Sequence, residues 1–417
     1  MEATLLSQGD PTATEIVAPV TLQQKSLGSL RYNIHAGQGA FQAGTRAFSV
    51  SSQTSGPTNP IQIPGAQTQY QVVPSAVNAD FLGKYGVILS ITLQNTGAAP
   101  LTVGSYAAML IRSMNFRFTS SVNLTYLSEA NLAWIFSQMS DTQLAMAGPL
   151  MLINPANYQP LPLVLAAGAS STVYIPLQCP VSNRCAWLRA LQANMEFSIQ
   201  WSLASDVVTA GAAADLSVQS TQLIFSGFKA ASAINSAIAT KFLNGPVMTR
   251  AVVPTATVVA IPGGVNAGGQ YEINLAQSTG LCTGLFTYSR VGTGSALVAF
   301  VPVAAAQDTI TLRADSQPYP AFGVAFPAAF FRAFFAGAGH VDGAGLATLN
   351  VNTIPFTPQV SNSIAAGEIG GTFYVSQSAN LLVTSTVTNA AVTEAVVIFN
   401  KVEVIVQNGA ELSVRIL

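Results

Sequence analysis

Charge is what this chain has least of. Lys, Arg, Asp and Glu make up 8% of its 417 residues, 16 basic against 17 acidic, for a formal net charge of −1. An average soluble protein carries roughly 25%. Near-zero net charge removes self-repulsion and favours association. The basic residues are scattered, with no Lys/Arg run and no interleaved aromatics, which excludes a positive groove for nucleic acid. Histidine is nearly missing too. His35 and His340 lie far apart in the chain, so the His/Glu metal set of a β-barrel enzyme such as a cupin is excluded.

Other absences narrow the class further. Cysteines number three, Cys179, Cys185 and Cys282. Cys179 and Cys185 are near enough in sequence to bridge a short loop, while a chain matured in a cytoplasm keeps its thiols reduced and buried. The opening MEATLLSQGDPTATEIV has no basic stretch followed by an apolar one, so no secretory signal is expected. Thr142 to Asn183 is free of charge but broken by Gly148, Pro149, Asn154, Pro155, Asn157, Pro160 and Pro162. A membrane-spanning helix needs about 20 predominantly apolar residues, and that reading fails.

What is present is strand after strand. Residues 1–68, as in SVSSQTSGPTNPIQIPGAQTQ (49–69), are polar, rich in Gly and Pro, and weakly periodic, and are read as an extended arm, with LQQKSLGSLRY (22–32) as a short helix. From residue 70 apolar and polar residues alternate. In GVILSITLQN (86–95), Val87, Leu89, Ile91 and Leu93 share one face, and Asn95-Thr96-Gly97 turns the chain. Met114, Phe116 and Phe118 repeat the pattern, as do Val173, Ile175 and Leu177 in LVLAAGASSTVYIPLQCP (163–180), and Met195, Phe197, Ile199 and Trp201. SEANLAWIFSQM (128–139) reads as a helix with Ser128 as N-cap, and KAASAINSAIATKFL (229–243) as a second, stopped by Asn244-Gly245-Pro246.

The second half repeats the pattern in YEINL (271–275), GLFTYSR (284–290), ALVAFVPV (296–303) and DTITLRA (308–314). AVVIFNKVEVIVQ (395–407) meets Asn408-Gly409, which predicts a type I′ hairpin, with Val402, Val404 and Val406 inward and Lys401, Glu403, Glu411 and Arg415 toward solvent. Many short strands, few helices and two similar halves point to an all-β chain of two antiparallel sandwiches in tandem.

Chemistry is hard to place anywhere. There is no G-x-S-x-G elbow, no P-loop, no H-E-x-x-H and no CxxC pair. GTGS (292–295) is a turn. His340 and Asp342 share the Gly-rich GAGHVDGAG (337–345), which could hold a metal or polarise a water, or be an ordinary loop. Asp308, Asp315, Glu394 and Glu403 read as solvated strand residues. Asn123-Leu124-Thr125 is a glycosylation sequon, relevant only to a secreted protein. In FPAAFFRAFFAG (326–337) the phenylalanines fall at helical spacing and suit a core or a subunit contact better than a lipid face. No residue is assigned a catalytic, cofactor-binding or metal role.

FLGKYGVILSITLQNTGAAPLTV (81–103), SEANLAWIF (128–136) ahead of a Pro-rich loop, LAAGASSTVYIPL (165–177) followed by LRALQANMEFSIQW (188–201), and GGQYEINLAQSTGLCTGLFTYSR (268–290) together resemble the double jelly-roll major capsid proteins of the tectivirus and adenovirus lineage, in particular those of icosahedral bacteriophages with an internal membrane. The likeness lies in strand order and turn placement over about residues 70–417. It implies two tandem eight-stranded jelly rolls with a few short helices: an arm (1–68), a first roll (69–228), a linker helix (229–250) and a second roll (251–417). It further implies a non-enzymatic virion protein, assembled in the host cytoplasm without cofactors. The expected partners are two sister chains in a homotrimer, neighbouring capsomers, and penton or minor capsid proteins. Lipid of an internal membrane, touched by Leu5, Leu6, Ile16 and Val17 of the arm, is a further partner that the likeness admits; direct nucleic-acid contact is not. A tandem β-sandwich adhesin or carbohydrate-binding protein is the rival reading, and would call for a signal sequence, paired cysteines and an aromatic-lined groove.

Overall fold

The computed structural model describes residues 41–52, 61–62, 67–72, 77, 79–118, 122–139, 141–156, 159–182, 186–191, 194–230, 232–243, 245–260, 270–275, 280–291, 309–314, 317–319, 326–327, 352–355, 373–375, 379–384 and 392–416. The second of the two predicted helices, α4 (Ser232–Leu243), divides two sets of antiparallel sheets, and among the described residues no sheet takes strands from both sides of it.

Ahead of α4, one sheet runs β1 (Phe41–Ser52), β12 (Leu216–Ala230), β4 (Phe81–Asn95), β9 (Ser170–Leu177), with β2 (Ile61–Gln62) also on β12. The facing sheet runs β3 (Gln67–Val72), β10 (Met195–Trp201), β6 (Ile111–Phe118), β7 (Val122–Leu127). A small third sheet, β11 (Val208–Ala210), β5 (Leu101–Val103), β8 (Leu163–Leu165), sits at the end where β4 stops and β9 and β12 start. Leaving out β2 and that small sheet, the eight strands counted in chain order are arranged 1-8-3-6 in one sheet and 2-7-4-5 in the other. This is the jelly-roll order, two Greek keys wound together.

Beyond α4 the same order recurs. β13 (Val247–Ala260), β22 (Val392–Asn408), β15 (Gly280–Val291) and β19 (Asn352–Pro355) make 1-8-3-6, with β20 (Phe373–Val375) also on β15 and β23 (Glu411–Ile416) on β22. β14 (Gln270–Asn274), β21 (Asn380–Thr384), β16 (Thr309–Ala314) and β17 (Gln317–Tyr319) make 2-7-4-5, with β18 (Phe326–Pro327) also on β16.

The first core is built by the alternation the sequence displays. Val87, Leu89, Ile91, Leu93, Phe116, Phe118, Phe197 and Trp201 are all at most 1% exposed. Each side chain of this kind contributes about 1.5–3 kcal/mol when buried. Aromatic rings knit the layers. Phe197 meets Phe116 edge-on at 5.0 Å beside it and Phe225 at 6.3 Å across the sandwich. Tyr70 of β3 also crosses the sandwich to donate to Thr221 of β12; burial, only partly opposed by that bond, pushes its phenol up to about 12. The turn after β4 is made by Asn95, fully buried, whose Oδ1 accepts the Gly97 N–H at 2.9 Å while Nδ2 donates to the carbonyls of Ala99, Leu165 and Ala166. This is an Asx turn extended into a clamp on two loops.

Helix α1 (Ser128–Gln138) is where it was expected, but its N-cap is Leu127, with no side-chain cap. Ser128 is turned inward instead, and its hydroxyl donates to the Ile111 carbonyl. Lys229 and Ala230, expected to open the second helix, end β12. β1 lies in the stretch read as arm: short polar side chains hid a strand whose backbone bonds to β12 carry it. The last hairpin turns at Gly409-Ala410, since Asn408 pairs with Glu411. Gly409 alone of the two has positive φ (56°), the glycine-first pattern of a type II′ turn rather than type I′. Phe326 is in a strand, paired with Ile310, where a helical spacing had been read. The rest of 328–345, with residues 22–32 and 296–303, lies outside the described residues.

Candidate functional site

Most of the residues that sequence reasoning weighed for chemistry are not among the described ones. His35, His340, Asp342, Asp308, Asp315 and Cys185 lie outside the described residues. Cys179 and Cys282 are both buried, and Cys282 is a free thiol that burial raises to about 12, with Lys401 opposing. The Asn123-Leu124-Thr125 sequon is inside β7, paired along its length with β6. Among the described residues no three His, Cys, Asp or Glu side chains are grouped to hold a metal, and no helix is long and apolar enough to cross a membrane. What the first roll does offer is surface of unusual composition.

The outer face of the β1-β12-β4-β9 sheet follows from the inner one by alternation. With Val87, Leu89, Ile91 and Leu93 inside, β4 turns Ile88, Ser90, Thr92 and Gln94 outward, in register with Gln222 and Ile224 of β12 and with Thr172 and Tyr174 of β9. None of these is charged. Thr92 and Thr172 bond hydroxyl to hydroxyl at 3.1 Å, satisfying each other across the ladder. β9 is the edge, and it carries Pro176 rather than Lys as a guard against pairing. At its far end α1 intervenes: Asn131 donates to the Pro176 carbonyl at 2.9 Å and accepts from the Gln178 N–H at 2.8 Å. Nearby elements expose Met146 (79%), Val164 (65%) and Leu150 (51%). The other sheet is different. Its outer face is a polar ladder, with Arg117 and Glu196 at 3.6 Å and Asn115 bonded to Thr125 at 3.3 Å.

Between the two rolls is a seam. β13 packs on β7 and α1, β23 packs on β7, and β22 reaches across through Gln407. There Val253, Ile405 and Leu412 of the second roll join the hydrophobic core of the first. Gln407, 1% exposed, grips the first roll through a reciprocal pair: its Oε1 accepts the Trp187 N–H at 2.8 Å and its Nε2 donates to the Trp187 carbonyl at 2.9 Å. Glu403, expected to face solvent, is on this face and is 6% exposed. Alternation assigned it to the outside correctly; the outside of this strand is covered by the other roll. Val404-Ile405-Val406, apolar on both faces, is the signal that would have revealed burial from two sides.

Comparison with known proteins supplies the architecture's relatives. No family model and no curated protein matches the sequence. Solved structures do match. The PBCV-1 virus capsid aligns with TM-score 0.61 at 11% identity, over 90% of this chain and 98% of that one. The Faustovirus major capsid protein aligns with TM-score 0.57 at 10% identity, over 97% and 98%. The cryo-EM structure of the Sputnik virophage gives 0.57 at 9%, over 91% of each. At such identities the likeness is one of fold, and by its fold this chain is a double jelly roll of the kind those capsids are built from.

Proposed function

We propose that this protein is a major capsid protein, a structural subunit whose task is repeated self-association rather than catalysis. One observation carries the reading: the 1-8-3-6 and 2-7-4-5 strand order is written twice in one chain, and the whole alignment spans nearly all of both this chain and viral capsid relatives. Two rolls per chain and three chains per capsomer give a pseudo-hexagonal block. The uncharged outer positions of β4, β12 and β9 suit such a block, because burying unpaired ions at each contact would be costly. In this reading residues 69–228 and 251–417 are the two rolls, joined by 229–250, and 1–68 is an arm whose strand β1 is drawn into the first roll. The partners are sister chains, adjacent capsomers, penton or minor capsid proteins and, beneath the arm, the lipid of an internal membrane, in the virion of an icosahedral bacteriophage assembled in host cytoplasm.

Light scattering on the purified chain tests this. The expected particle has three times the 43.2 kDa chain mass and a hexagonal outline in negative stain. A monodisperse monomer at all concentrations overturns it.

A further inference from the structure

The seam buries polar atoms from both rolls. Glu403 Oε2, on β22, and Tyr126 Oη, on β7, are buried and without a hydrogen-bond partner among the described residues. They sit on opposite sides of the joint and feel each other electrostatically. Native interiors leave few such atoms, and a buried carboxylate without a partner is among the costliest.

The surroundings offer Glu403 little relief. On its own strand Lys401, half-buried, is two residues away. Its ladder neighbours on β13 and β23 are Ala251 and Ile416, both uncharged, while Arg250 and Arg415 register with Val404, one position off. From the first roll, β7 brings Tyr126, which also feels Cys179 of the segment after β9, and α1, packed on β13, carries Glu129, itself buried. None of these three supplies a positive charge. The ion pair of the 186–191 segment, Arg189 with Asp80 at 3.7 Å, is internal to the first roll.

We propose that the seam is a proton-controlled joint: with Glu403 a neutral acid the two rolls pack closely, and when Glu403 loses its proton a lone buried negative charge loosens them. The carboxyl is raised above its ordinary range, by burial first and with Lys401 opposing, and Tyr126 is raised by burial and by Cys179 and Glu403, so neither group can neutralise the other. The sign follows from linkage. Folded protein holds this proton more tightly than unfolded chain does. Stability is full below the ordinary Glu value of about 4.3, falls as pH climbs from there to the folded value, and is level above it. Within that window the closed-to-open ratio falls by at most tenfold per pH unit, the limiting slope of one proton.

The full chain tests this with two readouts. In the unmodified protein, infrared titration should show a protonated carboxyl persisting above about pH 4.3, and the Trp187 amide, held by Gln407, should lose hydrogen-exchange protection as pH rises, after correction for intrinsic exchange rates. Glu403→Gln should remove the infrared band and flatten the protection profile; Tyr126→Phe, which removes a hydroxyl and no charge, should leave the slope intact. The proposal is overturned if no carboxyl titrates above the ordinary range, or if Glu403→Gln keeps the wild-type pH slope. Should Glu403→Gln fail to fold, the pH profile of Trp187 protection in the unmodified chain decides, and a flat profile overturns the proposal. The joint lies within one chain, so a failed trimer assay leaves this inference standing, and the reverse holds as well.

Discussion

Replacing Gln407 by Met isolates the polar clamp between the rolls. Methionine has nearly the volume and flexibility of glutamine, so no cavity opens and any loss is due to hydrogen bonding. The substitution removes the acceptor of the Trp187 N–H (2.8 Å) and the donor to its carbonyl (2.9 Å), together with a third bond to the Gly409 carbonyl at 3.1 Å. Depriving a buried polar group of its partner costs about 1–3 kcal/mol. The two Trp187 groups together give about 2–6 kcal/mol, with the Gly409 bond, nearer the surface, adding little. For a cooperative unit of 150–250 residues, 3 kcal/mol is roughly 6–12 °C in Tm. Calorimetry and urea unfolding of the purified chain measure it. If the seam is a true joint, the second roll should also begin to melt separately from the first. A loss below about 1 kcal/mol, with one unchanged transition, would refute the idea that this amide holds the rolls together.

Three further outcomes are expected. Asn95→Asp keeps the acceptor for Gly97 but loses donors to three carbonyls and sets a charge among them, so urea denaturation should show a loss of about 2–4 kcal/mol. Phe197→Ala, which breaks both the same-sheet and the cross-sandwich ring contacts, should cost about 3–5 kcal/mol by the same assay. Thr92→Lys on the charge-free face should shift monomer stability by less than about 0.5 kcal/mol yet lower the assembled fraction in light scattering, and unchanged assembly would clear this face of any part in it.

Cys282 gives a chemical probe of the second roll. Its thiol is fully buried and raised to about 12 by that burial, with Lys401 lowering it in part. Thiolate is therefore scarce at pH 8, and labelling by a thiol reagent should proceed at the rate of local opening. Labelling as fast as a free peptide thiol would contradict the burial.

The parts of the fold visible in the sequence are those with one wet face and one dry one. β4, β6 and β10 alternate cleanly because each has a core on one side only, and their buried residues could be named in advance. β1 could not: Arg46, Ser49, Ser51 and Ser52 carry no apolar stripe, and its place is set by pairing with β12, far along the chain. β22 misled for the opposite reason. Its last third is covered on both sides, so Glu403 read as a solvent residue while lying, with Gln407, in the seam. The scarcity of charge was evident from composition; that it falls on the β4 and β9 outer face needed the register, since alternation alone does not tell which strands are neighbours.

Each roll pairs its first strand with its last, β1 with β12 and β13 with β22. A ribosome delivers these partners at very different times. The first roll has all its strands once Ala230 has emerged, but β13 must then wait, one ladder edge open, until Val392–Asn408 is translated. Nascent second halves are therefore the species most prone to pairing with a neighbouring chain, and slowing translation after α4 should lengthen that exposure and lower the yield of correctly closed protein.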